Sequence, residues 1–166
     1  MRRLICNITG IASEELTGTG IDETTRHRKV EVGRRVLACN QPDPADPLGV
    51  LASLGGYEIA GITGVCLAGA AWRIPGVIDG FIAPAGAWVA CAFHPLGKDC
   101  LVFAHLLSER GHGRVLGALQ VKPLLDLGMR LGEGTGAALG MGLVESAVRL
   151  LNEMATFAAA GVAEQT

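Results

Sequence analysis

The sequence predicts an α/β fold: a partial open parallel sheet flanked by helices, Rossmann-like in organisation, that ends in a long C-terminal helix. Short apolar runs typical of buried strands, at residues 76–81 and 100–105, alternate with helical patterns. The 24 glycines exceed the usual share of about 7% and favour tight turns and close packing. The 166 residues, 49% hydrophobic and 18% charged, suit a single domain at 1–162, followed by a frayed tail at 163–166.

The N-terminal part of the chain is predicted to contain one strand and two helices. Residues 2–8 form a short apolar run that indicates a strand. Residues 24–40 have a helical pattern. A second helix is expected to begin at Pro47, with Asp46 as its cap, and to end at Gly55–Gly56, because proline favours the first turn of a helix and glycine its end.

The middle of the chain is predicted to place helices on either side of the first buried strand. Residues 57–72 and 83–93 are rich in small residues and can form tightly packed helices. A further helix at 108–119 follows the second strand, with Ser108 as its cap and Glu109 in its first turn.

The C-terminal part carries the clearest helical pattern, at residues 137–159. Its apolar face comprises Val144, Ala147, Val148, Leu151, Met154, Ala155 and Ala158. The preceding stretch, 123–131, fits either a helix or a strand, and the pattern leaves both open.

Composition argues against several functional classes. The net charge of −2 provides no basic field for nucleic acid. The five cysteines are odd in number and form no CxxC pair, so we expect reduced thiols and a cytoplasmic location. The uncharged stretch at 80–97 contains two prolines and a histidine, so we expect a buried helix there and no membrane association. No cysteine or histidine spacing suggests a metal site.

A glycine-rich segment, MRLGEGTGAALG at 129–140, precedes the C-terminal helix and contains Glu133. Glycine permits close approach of a ligand, and free N–H groups at a helix start favour anions. Glu133 has two interpretations on this pattern: a first-turn residue that only complements the helix dipole, or a functional carboxylate facing a cavity. The segment matches neither GxGxxG nor the P-loop, so a general NAD-type binder is disfavoured.

Other candidate residues follow the two predicted strands. The segment HLLSERGH, 105–112, lies at the carboxyl end of the second strand, where open α/β sheets bind ligands. Asp79 follows the first strand and either caps the next turn or faces a ligand. The basic run at 26–35 is either a solvated helix face or presents Arg28 or Lys29 to a phosphate.

Together the motifs resemble a known family over nearly the whole chain. The matching segments are CNIT (6–9), GTGID (18–22), RKVEVGRRVLACNQPDP (28–44), LGGYEIAGITGVCLAGAA (54–71), IPGVIDGF (74–81), AHLLSERGH (104–112), LLDLGMRLGEGTGAAL (124–139) and NEMATFAAAGV (152–162). In this order they resemble the C-terminal half of nicotinate-nucleotide:dimethylbenzimidazole phosphoribosyltransferase.

The resemblance implies a reaction of cobalamin lower-ligand synthesis. Family enzymes move ribose 5-phosphate from nicotinate mononucleotide to 5,6-dimethylbenzimidazole, giving α-ribazole phosphate and nicotinate. The family's general base is the glutamate of an LGEG(T/S)G motif, which falls on Glu133 here. A carboxylate suits this role because the attacking azole becomes cationic and must lose its other N–H proton. No cofactor or metal is implied.

The resemblance also implies substrate-binding residues. These are Asn7, Thr9, Lys29, Ser108, Arg130, Gly132 and Gly134. The family's glycine–asparagine–threonine–threonine turn is altered at Cys6 and Ile8, and the family's serine after the strand-end histidine falls on Leu107, one place before Ser108.

Family enzymes are considerably longer than this chain, and their first half supplies part of the sheet and one wall of the benzimidazole pocket. An incomplete sheet exposes an edge and apolar faces, so we expect a homodimer, or a separate chain that supplies the N-terminal half. The alternative to an enzyme is a truncated, non-catalytic remnant or split subunit that binds a nucleotide or a partner chain.

Overall fold

The computed structural model describes residues 2–12, 14–16 and 22–161, and leaves out the side chains of Arg2, Arg3, Ile8 and Arg110. The predicted tail at 163–166 and most of the GTGID segment lie outside the described residues. In chain order the elements are α1 (Arg2–Thr9), α2 (Glu23–Asn40), α3 (Pro47–Leu54), α4 (Tyr57–Ala71), β1 (Gly76–Ile78), α5 (Ala83–Phe93), a 3₁₀ helix (Pro95–Cys100), β2 (Leu101–Phe103), α6 (Arg110–Ala118) and α7 (Thr135–Glu153).

A small parallel sheet carries the carboxyl-end loops of the molecule. Strands β1 and β2 pair in parallel, with Gly76 opposite Leu101 and Ile78 opposite Phe103. Leu125 continues the pairing just beyond β2: its N–H donates to the Ala104 carbonyl at 3.0 Å, and its carbonyl accepts from Leu106. The stretch at 123–131 is therefore extended at its start and not helical. The α/β class and the parallel pairing confirm the fold predicted from the sequence.

Helix α1 replaces the strand predicted at residues 2–8, which was wrong. Leu4 and Ile5 are fully buried, and the helix packs on α2 and α3. The Thr9 hydroxyl donates to the Ile5 carbonyl one turn back, at 2.8 Å. A short apolar run does not distinguish a helix from a strand, and here the packing against two helices decides the conformation.

Helices α4 and α5 pack closely against each other in the core. A Cβ placed on Gly86 would lie 2.6 Å from Ile62 Cγ2, so α5 approaches α4 more closely than any larger residue allows. The buried Thr63 hydroxyl lies 2.9 Å from the Ile59 carbonyl and 3.2 Å from the Gly86 carbonyl. The tight packing expected of these small-residue helices is confirmed.

Three helix ends differ from expectation. Asp46 occupies the cap position of α3, but its side chain makes no capping hydrogen bond, although Pro47 does begin the helix. Helix α6 begins at Arg110 with Glu109 at its cap position, so Ser108 is not its cap. Helix α7 ends at Glu153, because Met154 adopts an extended backbone.

Much of α7 has no core beneath it within the described chain. Leu151 is 84% exposed, and Val148 and Met154 are also exposed. The predicted apolar face therefore exists in the sequence but remains uncovered by the described residues. Among the described helices, none combines the length and apolar content that crossing a bilayer requires.

Candidate active site

Asp79 joins the end of strand β1 to the start of helix α7. Its Oδ2 accepts a hydrogen bond from the Gly134 N–H at 2.9 Å, and its Oδ1 accepts one from the Ala137 N–H, also at 2.9 Å. The carboxylate thus caps the start of a helix 55 residues further along the chain. One of the two alternatives from the sequence, that Asp79 caps the turn directly after β1, is therefore wrong. These two N–H groups are consequently not free for a substrate anion, which corrects the expectation of an open anion site at this helix start.

Glu133 occupies a strained position in the glycine-rich turn that precedes α7. Its φ is +58° and that of Gly134 is +86°, so both residues are left-handed. Such a backbone costs a residue other than glycine about 1–3 kcal/mol. The Thr135 N–H closes the turn by donating to the Gly132 carbonyl at 3.2 Å. The turn therefore presents a carboxylate at a position where glycine would be less strained, which is typical of functional sites.

His105 lies behind the turn and is fully buried. Its Nδ1 is 3.4 Å from Asp79 Oδ1, which is longer than a well-formed hydrogen bond, and neither ring nitrogen has a hydrogen-bond partner among the described residues. A Cβ on Gly136 would lie 1.8 Å from that Nδ1 and 2.6 Å from Asp79 Oδ1. Residue 136 must therefore be glycine, because the His105 imidazole and the Asp79 carboxylate occupy the space that a side chain would need.

His112 forms the next part of this buried polar cluster. Its Nδ1 accepts a hydrogen bond from the Leu107 N–H at 2.9 Å, and its ring packs edge-on against Phe81. Burial, with a smaller contribution from neighbouring His105, lowers the pKa of His112 to about 4. His112 is therefore neutral at physiological pH and orders the loop after β2. The Leu107 side chain, which replaces the family's serine, is itself buried.

Ser108 is held against the segment that leads into Glu133. Its hydroxyl donates to the Gly128 carbonyl at 3.0 Å, and its N–H donates to the Met129 carbonyl at 3.0 Å. Arg130 follows directly and is exposed. The structure therefore brings Ser108 and the stretch 128–134 together at the carboxyl edge of the sheet, where the sequence placed the ligand site.

The remaining predicted substrate residues lie on other elements. The Asn7 amide donates to the Pro42 carbonyl at 3.1 Å, while its Oδ1 is buried and has no hydrogen-bond partner in the described part of the chain. Thr9 bonds within the end of α1 and to the Ile11 N–H. Lys29 is exposed on α2. None of the contacts found for these three residues joins them to the glycine-rich turn.

An apolar groove lies apart from the proposed catalytic carboxylate. A groove of about 530 Å³ runs between α4 and the edge strand β1, lined by residues such as Ile62, Val65 and Leu101. Glu133 is exposed and does not line this groove. Among the described residues, this groove therefore does not supply the cavity expected beside the carboxylate. Within those residues, no three His, Cys, Asp or Glu groups are placed to hold a metal ion.

Sequence reasoning missed the roles of Asp79 and Gly136. The only signal for the role of Asp79 was its position directly after a strand, and that position did not show that Asp79 would cap helix α7. For Gly136, the glycine spacing indicated close approach, but the approaching group is His105 and not a ligand.

Comparison with known proteins gives a consistent assignment. A family model described as a phosphoribosyltransferase matches residues 2–162. The nicotinate-nucleotide–dimethylbenzimidazole phosphoribosyltransferase of Desulforudis audaxviator is 53% identical over 163 residues, which cover 96% of this chain and 46% of the relative. The enzyme of the same name from Geobacter sulfurreducens is 52% identical, with 97% of this chain and 46% of the relative covered.

The fold agrees with that assignment. The crystal structure of CobT from Thermus thermophilus superposes with a TM-score of 0.88 at 41% identity, over 99% of this chain and 49% of that chain. The chain spans about half the length of the curated relatives it matches. Since the match covers nearly all of its residues at more than 50% identity, the chain belongs to the nicotinate-nucleotide–dimethylbenzimidazole phosphoribosyltransferase family.

Proposed function

We propose that this chain carries the catalytic base for the transfer of ribose 5-phosphate from nicotinate mononucleotide to 5,6-dimethylbenzimidazole. The observation that carries the proposal is the strained, exposed carboxylate of Glu133 in a glycine-rich turn at the carboxyl edge of the sheet. Relatives more than 50% identical bear the name of this activity, which supports the same assignment here.

The chemistry requires one proton acceptor. A ring nitrogen of dimethylbenzimidazole attacks C1′ of the ribose, and the bond from C1′ to the nicotinate nitrogen breaks with its electron pair, so that nicotinate leaves. The azole becomes cationic, and Glu133 takes the proton from its other nitrogen. The carboxylate also stabilises the positive charge that develops in the transition state.

Substrate positioning is proposed for the other residues. Lys29 and Arg130 are exposed cations suited to the phosphate, and Asn7 is proposed from the family resemblance alone. Ser108, Thr9 and Gly132 would contribute polar and backbone contacts, whereas Gly134, whose N–H and carbonyl are bonded to Asp79 and Ala138, would permit the close approach of substrate.

A complete site requires a further polypeptide segment. Glu133 faces solvent, and the chain spans about half of its relatives' length. We propose that a separate chain equivalent to the relatives' other half covers the site, and that the chain also associates as a homodimer. A split, non-catalytic subunit that binds nucleotide is the second candidate, and it is favoured by the same exposure of Glu133.

The location proposed for the chain is the cytoplasm. Cys39, Cys66, Cys91 and Cys100 are free thiols, and Cys66 is buried. A reducing compartment is compatible with this cysteine usage.

The test measures α-ribazole phosphate formed from nicotinate mononucleotide and dimethylbenzimidazole, by the chain alone and by the chain mixed with the N-terminal half of a relative. Glu133→Gln should lower kcat by about 10²–10⁴-fold with little change in KM. Glu145→Gln is the matched control, since Glu145 is an exposed glutamate on α7 that pairs with Arg149. Full activity of Glu133→Gln overturns the proposed base. Nucleotide binding by calorimetry without product in either mixture would favour the non-catalytic subunit.

A further inference from the structure

We infer that Asp79 is a positioning residue that sets the direction of the catalytic carboxylate on Glu133. The inference rests on the proposed function of Glu133. It concerns a residue that does not touch substrate and acts through the backbone of the glycine-rich turn.

The first step of the argument is the peptide bond between Glu133 and Gly134. Because a peptide unit is planar, fixing the direction of the Gly134 N–H also fixes the Glu133 carbonyl, and with it the ψ angle of Glu133. Asp79 Oδ2 fixes that N–H at 2.9 Å. A left-handed residue other than glycine persists only where its surroundings hold it, and this hydrogen bond is such a restraint at the strained position.

The second step is the other oxygen of the same carboxylate. Asp79 Oδ1 accepts from the Ala137 N–H, in the first turn of α7. One side chain therefore ties both the turn and the helix to the end of β1. The turn cannot rotate relative to the sheet without breaking a charge-assisted hydrogen bond.

The third step is the support behind Asp79. The Asp79 carboxylate lies in space that a side chain at residue 136 would fill, and its Oδ1 is 3.4 Å from Nδ1 of the fully buried His105. Only about a seventh of the Asp79 side chain is exposed, and its hydrogen bond to the Ala137 N–H is partly buried, while the bond to the Gly134 N–H lies at the surface. Restraints of this kind are what hold a catalytic group in a productive direction.

The experiment compares Asp79→Asn with Asp99→Asn. Asp99 is an exposed aspartate of the 3₁₀ helix that precedes β2, at the opposite end of the strand from the site. An asparagine at 79 keeps the shape but offers one acceptor oxygen and one NH₂ donor, so it cannot accept from both N–H groups. We expect kcat to fall by about 10–100-fold with KM for the nucleotide changed less than about threefold, whereas Asp99→Asn leaves both unchanged.

Coupling to Glu133 separates positioning from a purely structural role. Asp79→Asn should lower kcat much less in a Glu133→Gln background than in the wild-type chain, because its effect passes through that carboxylate. An equal fold-change in both backgrounds would overturn the inference. If Asp79→Asn folds poorly, Asp79→Glu replaces it: this variant retains the charge, and we expect it to recover part of kcat.

A second readout keeps the inference testable if the wild-type chain shows no turnover and the proposed function fails. Hydrogen exchange of the Gly134 and Ala137 amides should be faster in Asp79→Asn than in Asp99→Asn by at least about tenfold. Unchanged protection of both amides would overturn the positioning role, whatever the activity.

Discussion

The imidazole of His105 lies where the side chain of residue 136 would otherwise be. A Cβ at Gly136 would stand 1.8 Å from His105 Nδ1, well inside the distance at which atoms collide. The strand end and the start of α7 thereby interlock, and the glycine-rich turn between them owes its position to this contact and to Asp79.

Gly136→Ala should therefore destabilise the chain by about 1–3 kcal/mol, because the buried imidazole or the helix start must move. Urea unfolding followed by circular dichroism measures the change. Gly142→Ala is the control on the same helix: nothing lies within 4 Å of its added Cβ, so alanine should stabilise the helix by about 0.5–1 kcal/mol. Equal effects of the two substitutions would contradict the interlocking contact.

Glu133→Gly should raise stability while removing the proposed base. The left-handed backbone at this position, with φ of +58°, costs glutamate about 1–3 kcal/mol that glycine avoids. Calorimetric unfolding should thus give a higher Tm for Glu133→Gly than for Glu133→Gln, whose backbone strain is unchanged. A lower Tm for the glycine variant would indicate that the Glu133 side chain makes stabilising contacts and would contradict the proposed backbone strain.

Acid should destabilise the chain through His112. Burial lowers its folded-state pKa to about 4, while the unfolded value is near 6.5. The unfolded chain therefore binds a proton first, so stability is complete above about pH 6.5 and falls by roughly 3 kcal/mol as the pH drops to 4. Denaturant unfolding from pH 8 to 4 measures this slope.

His112→Asn is the control for that dependence. Asparagine can still accept from the Leu107 N–H but does not titrate in this range. The variant should be less stable at pH 8 and show a shallower loss between pH 6.5 and 4. If stability falls equally steeply with pH in both proteins, groups other than His112 cause the acid sensitivity.

Association should depend on the apolar groove between α4 and β1. Val65 lines this groove and is 73% exposed, so Val65→Asp should leave the isolated fold intact while lowering the mass measured by light scattering at high concentration. Leu48→Asp is the control, because Leu48 is 62% exposed on α3 and lies outside the groove. A monodisperse monomer for the unmodified chain would contradict the proposed homodimer.

Most helices could be predicted because their signals are local. The α5 boundaries, the proline start of α3 and the glycines that end it depend on residues within one or two turns of each other. The strand at 2–8 failed for the opposite reason: seven residues contain too little periodicity, and Leu4 and Ile5 became helical by packing against α2 and α3.

The sequence by itself determined the family and the identity of the candidate carboxylate, because ordered motifs and a glutamate among glycines are properties of neighbouring residues. Only the tertiary structure decided that Asp79 holds the start of α7, that His105 requires Gly136, and that Glu133 faces solvent. Each of those facts joins residues far apart in the chain or reflects what surrounds a side chain. Contacts of this kind form when distant segments pack together, and local patterning does not encode which segments will meet.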